Sequence, residues 1–129
     1  MSPQHYAPLA RVELFEGAME DVANRMVARA IELRNRDHGV GAIICDEMLP
    51  LLDKTIEFVS SYGKWGEWDR YAQRLFAAFR VLDSRGVVII LCVLPTAEGM
   101  GLAVRDRLQR AAGSPRSLRS EQGKERGKS

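Results

Sequence analysis

The sequence predicts an α/β domain with an open, mainly parallel sheet of about four to five strands and helices on both faces. Strand-like and helix-like segments alternate along the 129 residues, as they do when helices connect parallel strands. Two runs, VGAIIC and VVIILCV, are continuously apolar, which is typical of strands covered on both sides. The composition, with 46% hydrophobic and 28% charged residues, is ordinary for one globular domain.

The first half of the chain predicts three strands and one helix. RVELF alternates polar and apolar residues and predicts a strand over Arg11–Phe15. Apolar residues at helical spacing then predict a helix over 18–35. VGAIIC predicts a buried strand over 40–45, and TIEFVS predicts another over 55–60. The DEMLPLLDK segment between these two strands is ambiguous and has room for one helical turn around its proline.

The second half predicts a helix, a strand and a last helix. An apolar stripe predicts the strongest helix over Trp68–Ser84, and Gly86 lies where a C-terminal cap is expected. VVIILCV predicts a fully buried strand over 87–93. A final helix over 102–112 ends before a glycine and a proline.

Several classes of protein are disfavoured by composition. No apolar run approaches the roughly 20 residues of a membrane span, and the N-terminus does not look like a signal peptide. We therefore predict a cytoplasmic protein without a membrane partner. Cys45 and Cys92 lie inside apolar runs, so we interpret them as core residues rather than reactive thiols.

Charge is concentrated in the last 16 residues, 114–129. They hold five basic and two acidic residues, a net charge of +3, which leaves −1 for the rest of the chain. Their low apolar content predicts a disordered basic tail. Such a tail could contact RNA or an acidic surface, but a solvated tail without a partner is the simpler interpretation.

One turn could bind an anion. Glu98, Gly99 and Gly101 precede the last helix, where free N–H groups and the helix dipole attract negative charge. The turn lacks the GxGxxG spacing and a P-loop lysine, so close packing of a strand-to-helix turn is favoured.

The sequence gives little support for a metal site, a base-stacking site or a catalytic site. His5 and His38 are far apart, the two cysteines form no CxxC motif, and no HExxH motif occurs, so no metal site is predicted. Trp65 and Trp68 could stack on a base, although tryptophans beside a turn more often cover the edge of a core. The residues alone therefore predict no catalytic group.

Two stretches resemble a known family. MSPQHYAPLARVELFEG resembles the interdomain linker and first strand of two-domain L-threonylcarbamoyladenylate (threonylcarbamoyl-AMP) synthases, a nucleotidyltransferase family whose linker ends in HYAP. RLFAAFRVLDSRGVVIILCVLPTAEGMGLAVRDRLQRAAG resembles the end of that family's C-terminal domain. The matching residues are Phe76, Ala78, Arg80, Asp83, Gly86, Glu98, Gly99, Gly101, Ala103, Val104, Arg107 and Leu108. The resemblance covers residues 1–113.

The resemblance implies a domain organisation. Residues 11–113 would form a three-layer Rossmann-like C-terminal domain, and residues 1–10 the second half of a lid over the active site. By resemblance, His5, Tyr6, Ala7 and Pro8 are lid residues that contact substrate. Pro8 restricts Ala7 to extended conformations, which suits a stiff lid. The alternative is an arm that is disordered without a catalytic domain.

The resemblance also implies a function. The family joins L-threonine, bicarbonate and ATP to give threonylcarbamoyl-AMP and pyrophosphate, for tRNA threonylcarbamoyladenosine modification. ATP and magnesium are held by the family's N-terminal catalytic domain. We therefore expect a noncatalytic accessory or gating domain that binds no cofactor itself, has the catalytic domain as partner in cis or in trans, and meets tRNA only indirectly.

Two alternatives and one departure remain. The chain could be a free-standing subunit that docks on a separate catalytic domain, or a nucleotide- or RNA-binding α/β domain that uses the EGMG turn and the basic tail. The family's last helix commonly reads A-V-M-N, whereas this chain has Arg105 and Asp106 after Ala103-Val104. Any contact that the family's asparagine makes is therefore in doubt.

Overall fold

The computed structural model describes residues 6–113, in which four parallel strands form one sheet in the order β1-β4-β2-β3. His5 and the predicted tail over 114–129 lie outside the described residues. The strands are Arg11–Phe15 (β1), Val40–Ile44 (β2), Phe58–Ser61 (β3) and Ile89–Val93 (β4). The helices are Met19–Asn35 (α1), Leu49–Leu52 (α2), Trp68–Ser84 (α3) and Met100–Ala112 (α4).

The strand order places helices on both faces of the sheet. From β1 to β2 to β3 the chain moves in one direction across the sheet, and from β3 to β4 it returns. Because crossovers between parallel strands are right-handed, α3 covers the opposite face from α1 and α2. The packing of α1 with α2 and of α3 with α4 agrees with this arrangement. The predicted open, parallel α/β sheet with three layers is confirmed.

The two central strands carry the core. Every residue of β2 and β4 is buried, because both strands have neighbours on each side and helices on each face. The edge strands β1 and β3 are mostly half-buried. Cys45 and Cys92 are fully buried, as predicted, and burial raises the pKa of Cys45 to about 11 and that of Cys92 further.

Some element boundaries differ from the predicted ones. The strand predicted over 55–60 begins only at Phe58, because the amides of Thr55 and Ile56 donate to the carbonyl of Leu52 and extend the preceding turn. The ambiguous segment forms a 3-10 turn, Asp46–Met48, followed directly by α2. The last helix begins two residues earlier than predicted, at Met100. No helix in the described part is long and apolar enough to cross a membrane.

Candidate functional site

The arm before β1 is attached to the end of α3 by one carboxylate. Tyr6 donates from its hydroxyl to Oδ2 of Asp83 at 2.5 Å, and the Leu9 amide donates to the same oxygen at 2.9 Å. The Ala10 amide donates to Oδ1 at 3.3 Å. Pro8 and Ala10 are buried, whereas Ala7 and Leu9 are exposed. We call residues 6–10 together with Asp83 the arm clasp.

Two further contacts hold the arm clasp on the domain. The Tyr6 ring is half-buried and packs against the hydrophobic core. Directly after the clasp, the Arg11 amide donates to the carbonyl of Val88 at 2.9 Å and starts the pairing of β1 with β4. The chain therefore reaches the sheet along a defined path from Tyr6 onward.

A cleft of about 430 Å³ opens at the same end of the sheet as the arm clasp, where β1 and β4 begin. Its lining residues are Arg11, Arg29, Leu33, Arg36, His38, Val88 and Ile89. Three guanidinium groups and an imidazole make this a basic concave surface.

The three arginines of the cleft face carboxylates. Arg29 binds Glu13 through two hydrogen bonds of 2.8 Å and binds Glu32 through one of 2.6 Å. The hydrogen bonds with Glu13 raise the pKa of Arg29. Arg36 also pairs with Glu32, at 3.5 Å, and Arg11 lies 3.9 Å from Glu13. This network of three guanidinium groups and two carboxylates joins α1 to β1 and indicates a structural role.

The predicted anion-binding turn lies at the opposite end of the strands, after the carboxyl end of β4. The amide of Gly101 donates to the carbonyl of Glu98 at 2.9 Å, and the amide of Leu102 donates to that of Gly99 at 3.1 Å. Gly99 has a φ of +52°. Two of the amides that an anion would need are thus already used within the turn.

Gly101 is required by close packing. A Cβ at this position would lie 2.2 Å from the carbonyl oxygen of Thr96 and 3.1 Å from Cδ1 of Trp68. The contact supports the close-packing interpretation of the turn that the sequence favoured. Glu98, Gly99 and Gly101 stay a predicted anion site without further support.

The two tryptophans also have structural contacts. Trp65 and Trp68 meet edge to face with ring centroids 5.4 Å apart, and Trp68 donates from Nε1 to Thr96 at 3.3 Å. Tyr62 lies 6.0 Å from Trp68 and stacks on Tyr71 at 4.1 Å. The aromatic group closes the end of the core next to α4, as tryptophans beside a turn usually do.

The structure does not bring all the predicted site residues together. Tyr6, Ala7 and Pro8 lie where the strands begin, whereas Glu98, Gly99 and Gly101 follow the end of β4. In residues 6–113 no group of three His, Cys, Asp or Glu side chains is placed to hold a metal ion.

Sequence reasoning missed the role of Asp83. It appeared only as one position of the family-like helix pattern, with no partner assigned. The available signal was its position, since an aspartate in the last turn of a helix is unfavourable next to the helix dipole and suggests a specific contact.

Comparison with known proteins gives a consistent result. A family model described as "Threonylcarbamoyl-AMP synthase, C-terminal domain" matches residues 1–113. The threonylcarbamoyl-AMP synthase of Pyrococcus abyssi (strain GE5 / Orsay) is 32% identical over 118 residues, which cover 88% of this chain and 31% of that protein. The synthase of Bacillus subtilis (strain 168) is 28% identical over 113 residues, with the same coverage. The chain spans about a third of the length of these relatives.

Solved structures are similar as well. The chain matches P. abyssi Sua5 complexed with L-threonine at a TM-score of 0.73 and 31% identity, over 84% of this chain and 30% of that one. It matches a P. abyssi Sua5 variant, with a histidine and the next tyrosine replaced by alanine, at 0.72 and 28%, over 82% and 28%. It matches the C-terminal Sua5 domain from a Pyrococcus horikoshii hypothetical protein at 0.60 and 28%, over 80% and 93%.

Proposed function

Because the chain belongs to the family of threonylcarbamoyl-AMP synthase C-terminal domains, we propose that it is the accessory domain of such a synthase and that its arm forms part of the active-site lid. The arm clasp is the observation that carries this proposal. The clasp holds residues 6–10, which belong to the linker-like sequence, against the end of α3.

The proposed whole reaction joins L-threonine, bicarbonate and ATP to give threonylcarbamoyl-AMP and pyrophosphate. In this proposal the catalytic domain, in cis or in trans, holds ATP and magnesium, and this chain holds neither. The match to the family's C-terminal domain, over about a third of the length of the curated synthases, supports that division. Contact with tRNA would be indirect, and the reaction would take place in the cytoplasm.

The chemistry of the product explains why a lid is useful. Threonylcarbamoyl-AMP is a mixed anhydride that water hydrolyses, so closing the site protects it. A lid segment that is anchored at one end loses less conformational entropy when it closes than an unanchored arm does. In this proposal His5, Tyr6, Ala7 and Pro8 are the lid residues contributed by this chain. The hydrogen bond of Tyr6 to Asp83 supports an anchoring role for that residue.

The proposal can be tested on the native protein. We would raise an antibody against the purified chain, capture the polypeptide from its source cells, and measure pyrophosphate release with ATP, bicarbonate and L-threonine. We expect threonine-dependent release by the captured material and none by the purified 129-residue chain. Antibody pre-blocked with purified chain is the control. Captured material without threonine-dependent release would contradict the proposal.

The same capture distinguishes the two arrangements of the partner. An intact mass several times the 14.4 kDa of this chain would mean that the catalytic domain is attached in cis. A mass of 14.4 kDa with a co-captured catalytic polypeptide would mean a partner in trans.

A further inference from the structure

We propose that Asp83 is the residue that positions the arm, so that loss of its carboxylate releases the arm while the domain stays folded. The inference that release of the arm affects synthesis rests on the proposed function. The inference that Asp83 holds the arm does not depend on that function.

Asp83 binds the arm through both oxygens of its carboxylate. Both carboxylate oxygens accept hydrogen bonds, and the three donors come from Tyr6, Leu9 and Ala10. All three donors are more than 70 residues away in sequence. Because two of them are backbone amides, the carboxylate fixes the direction of the chain as well as one side chain.

The position of Asp83 in α3 disfavours a purely local role. It lies in the last turn, where the helix dipole disfavours a negative charge. The last turn of α3 contains no basic residue, and the Arg85 guanidinium beyond it lies over the Phe58 ring at 5.8 Å. The donors of the arm are therefore the groups that offset the unfavourable placement.

The clasp also assigns different tasks to neighbouring arm residues. The Tyr6 hydroxyl donates its proton to Asp83, so in this state Tyr6 anchors the arm and that proton is not available to a substrate. Ala7 is exposed and lies between Tyr6 and the buried Pro8. Tyr6 and Pro8 therefore hold the arm on the domain, and Ala7 is the accessible residue between them.

The first test measures amide hydrogen exchange in the 129-residue chain. Asp83→Ala removes all three acceptor contacts, and Asp83→Asn keeps one acceptor oxygen. We expect exchange at Leu9 and Ala10 to rise about tenfold or more in the alanine variant and less in the asparagine variant. Exchange at Leu91 in β4 reports whether the fold is intact and should not change.

Two further variants control this test. Tyr6→Phe keeps the ring but removes the hydroxyl donor, so exchange at Leu9 should rise by a smaller factor without any change in α3. Asp106→Asn makes the same chemical change as Asp83→Asn at an exposed position whose partner is Arg110, at 3.2 Å. It should leave Leu9 and Ala10 unchanged. Unaltered exchange at Leu9 and Ala10 in Asp83→Ala overturns the clasp.

The second test uses the native synthase. We expect Asp83→Ala to raise KM for L-threonine about tenfold with a smaller effect on kcat, because an unanchored lid must be ordered at the expense of substrate affinity. Faster exchange with unchanged KM and kcat would overturn the positioning role. If the wild-type protein shows no threonine-dependent synthesis, the proposed function fails, and the exchange experiment still decides the clasp.

Discussion

Gly101 shows how one residue without a side chain permits the turn between β4 and α4. The sequence offered two explanations for the EGMG turn, an anion site and close packing. The distance from a Cβ at Gly101 to the Thr96 carbonyl supports the second. Spacing alone could not separate the two, because both explanations require glycine before a helix.

Replacing Gly101 tests this packing. We expect Gly101→Ala to lower the free energy of unfolding by about 2–3 kcal/mol, since a Cβ 2.2 Å from a backbone oxygen forces the turn to move. Urea denaturation measures the change. Gly39→Ala is the matched control, because its Cβ would meet no atom closer than 3.6 Å and its effect should stay within about 0.5 kcal/mol. Equal effects of the two variants would argue against the packing explanation.

At the scale of elements, Arg105 connects α4 to the sheet. Its Nη1 donates to Glu16 at 2.7 Å, just after β1, and to the carbonyl of Pro95 at 2.8 Å, just after β4. Asp106 instead pairs with Arg110 on the exposed side of α4. The departure from the family's A-V-M-N pattern thus replaces an apolar residue by an ionic connection between three elements.

Removing this connection should loosen α4. We expect Arg105→Met, which keeps the apolar stem, to lower the free energy of unfolding by about 1–2 kcal/mol, because it leaves a carbonyl and a carboxylate without their donor. Thermal denaturation is the measurement. Arg110→Met serves as the control, since that side chain is 80% exposed and its ion pair should contribute well under 1 kcal/mol. A larger loss for Arg110→Met than for Arg105→Met would contradict the assignment.

At the scale of the whole molecule, several ionisable groups are buried in their neutral forms. Burial is the largest cause that raises the pKa of Cys45, to about 11, and those of Cys92, Tyr62 and Tyr71 above their ordinary values. The unfolded chain therefore releases these protons at lower pH than the folded chain does. Stability from these groups is complete at pH values well below the unfolded thiol pKa of about 9 and is lost as the pH rises from there toward the folded values.

The domain should consequently unfold in alkali. We expect the free energy of unfolding to be nearly constant from pH 7 to about 8.5 and to fall by at least about 2 kcal/mol by pH 11, as measured by urea denaturation across that range. In residues 6–113 the buried Tyr62 hydroxyl has no hydrogen-bond partner, so Tyr62→Phe should fold well and lose less stability in alkali. A profile without decline up to pH 11 would be inconsistent with buried neutral thiols and phenols.

Some element bounds could be predicted from the sequence, and others could not. The bounds predicted for Arg11–Phe15 and Trp68–Ser84 agree with the structure. The third strand was placed three residues early, because TIEFVS looks uniformly strand-like although its first residues complete a turn by bonding to Leu52. Strand propensity could not reveal that these residues form a turn instead, because the turn depends on where the preceding helix ends.

The sequence by itself determined the parallel α/β class and the buried central strands, since periodicity and apolar runs are local properties. Only the tertiary structure decided that β4 lies between β1 and β2, and hence which distant residues meet. Tyr6 reaches Asp83 across 77 residues and Arg105 reaches Glu16 across 89. Such pairs depend on strand order and on packing between layers, which local patterns do not encode.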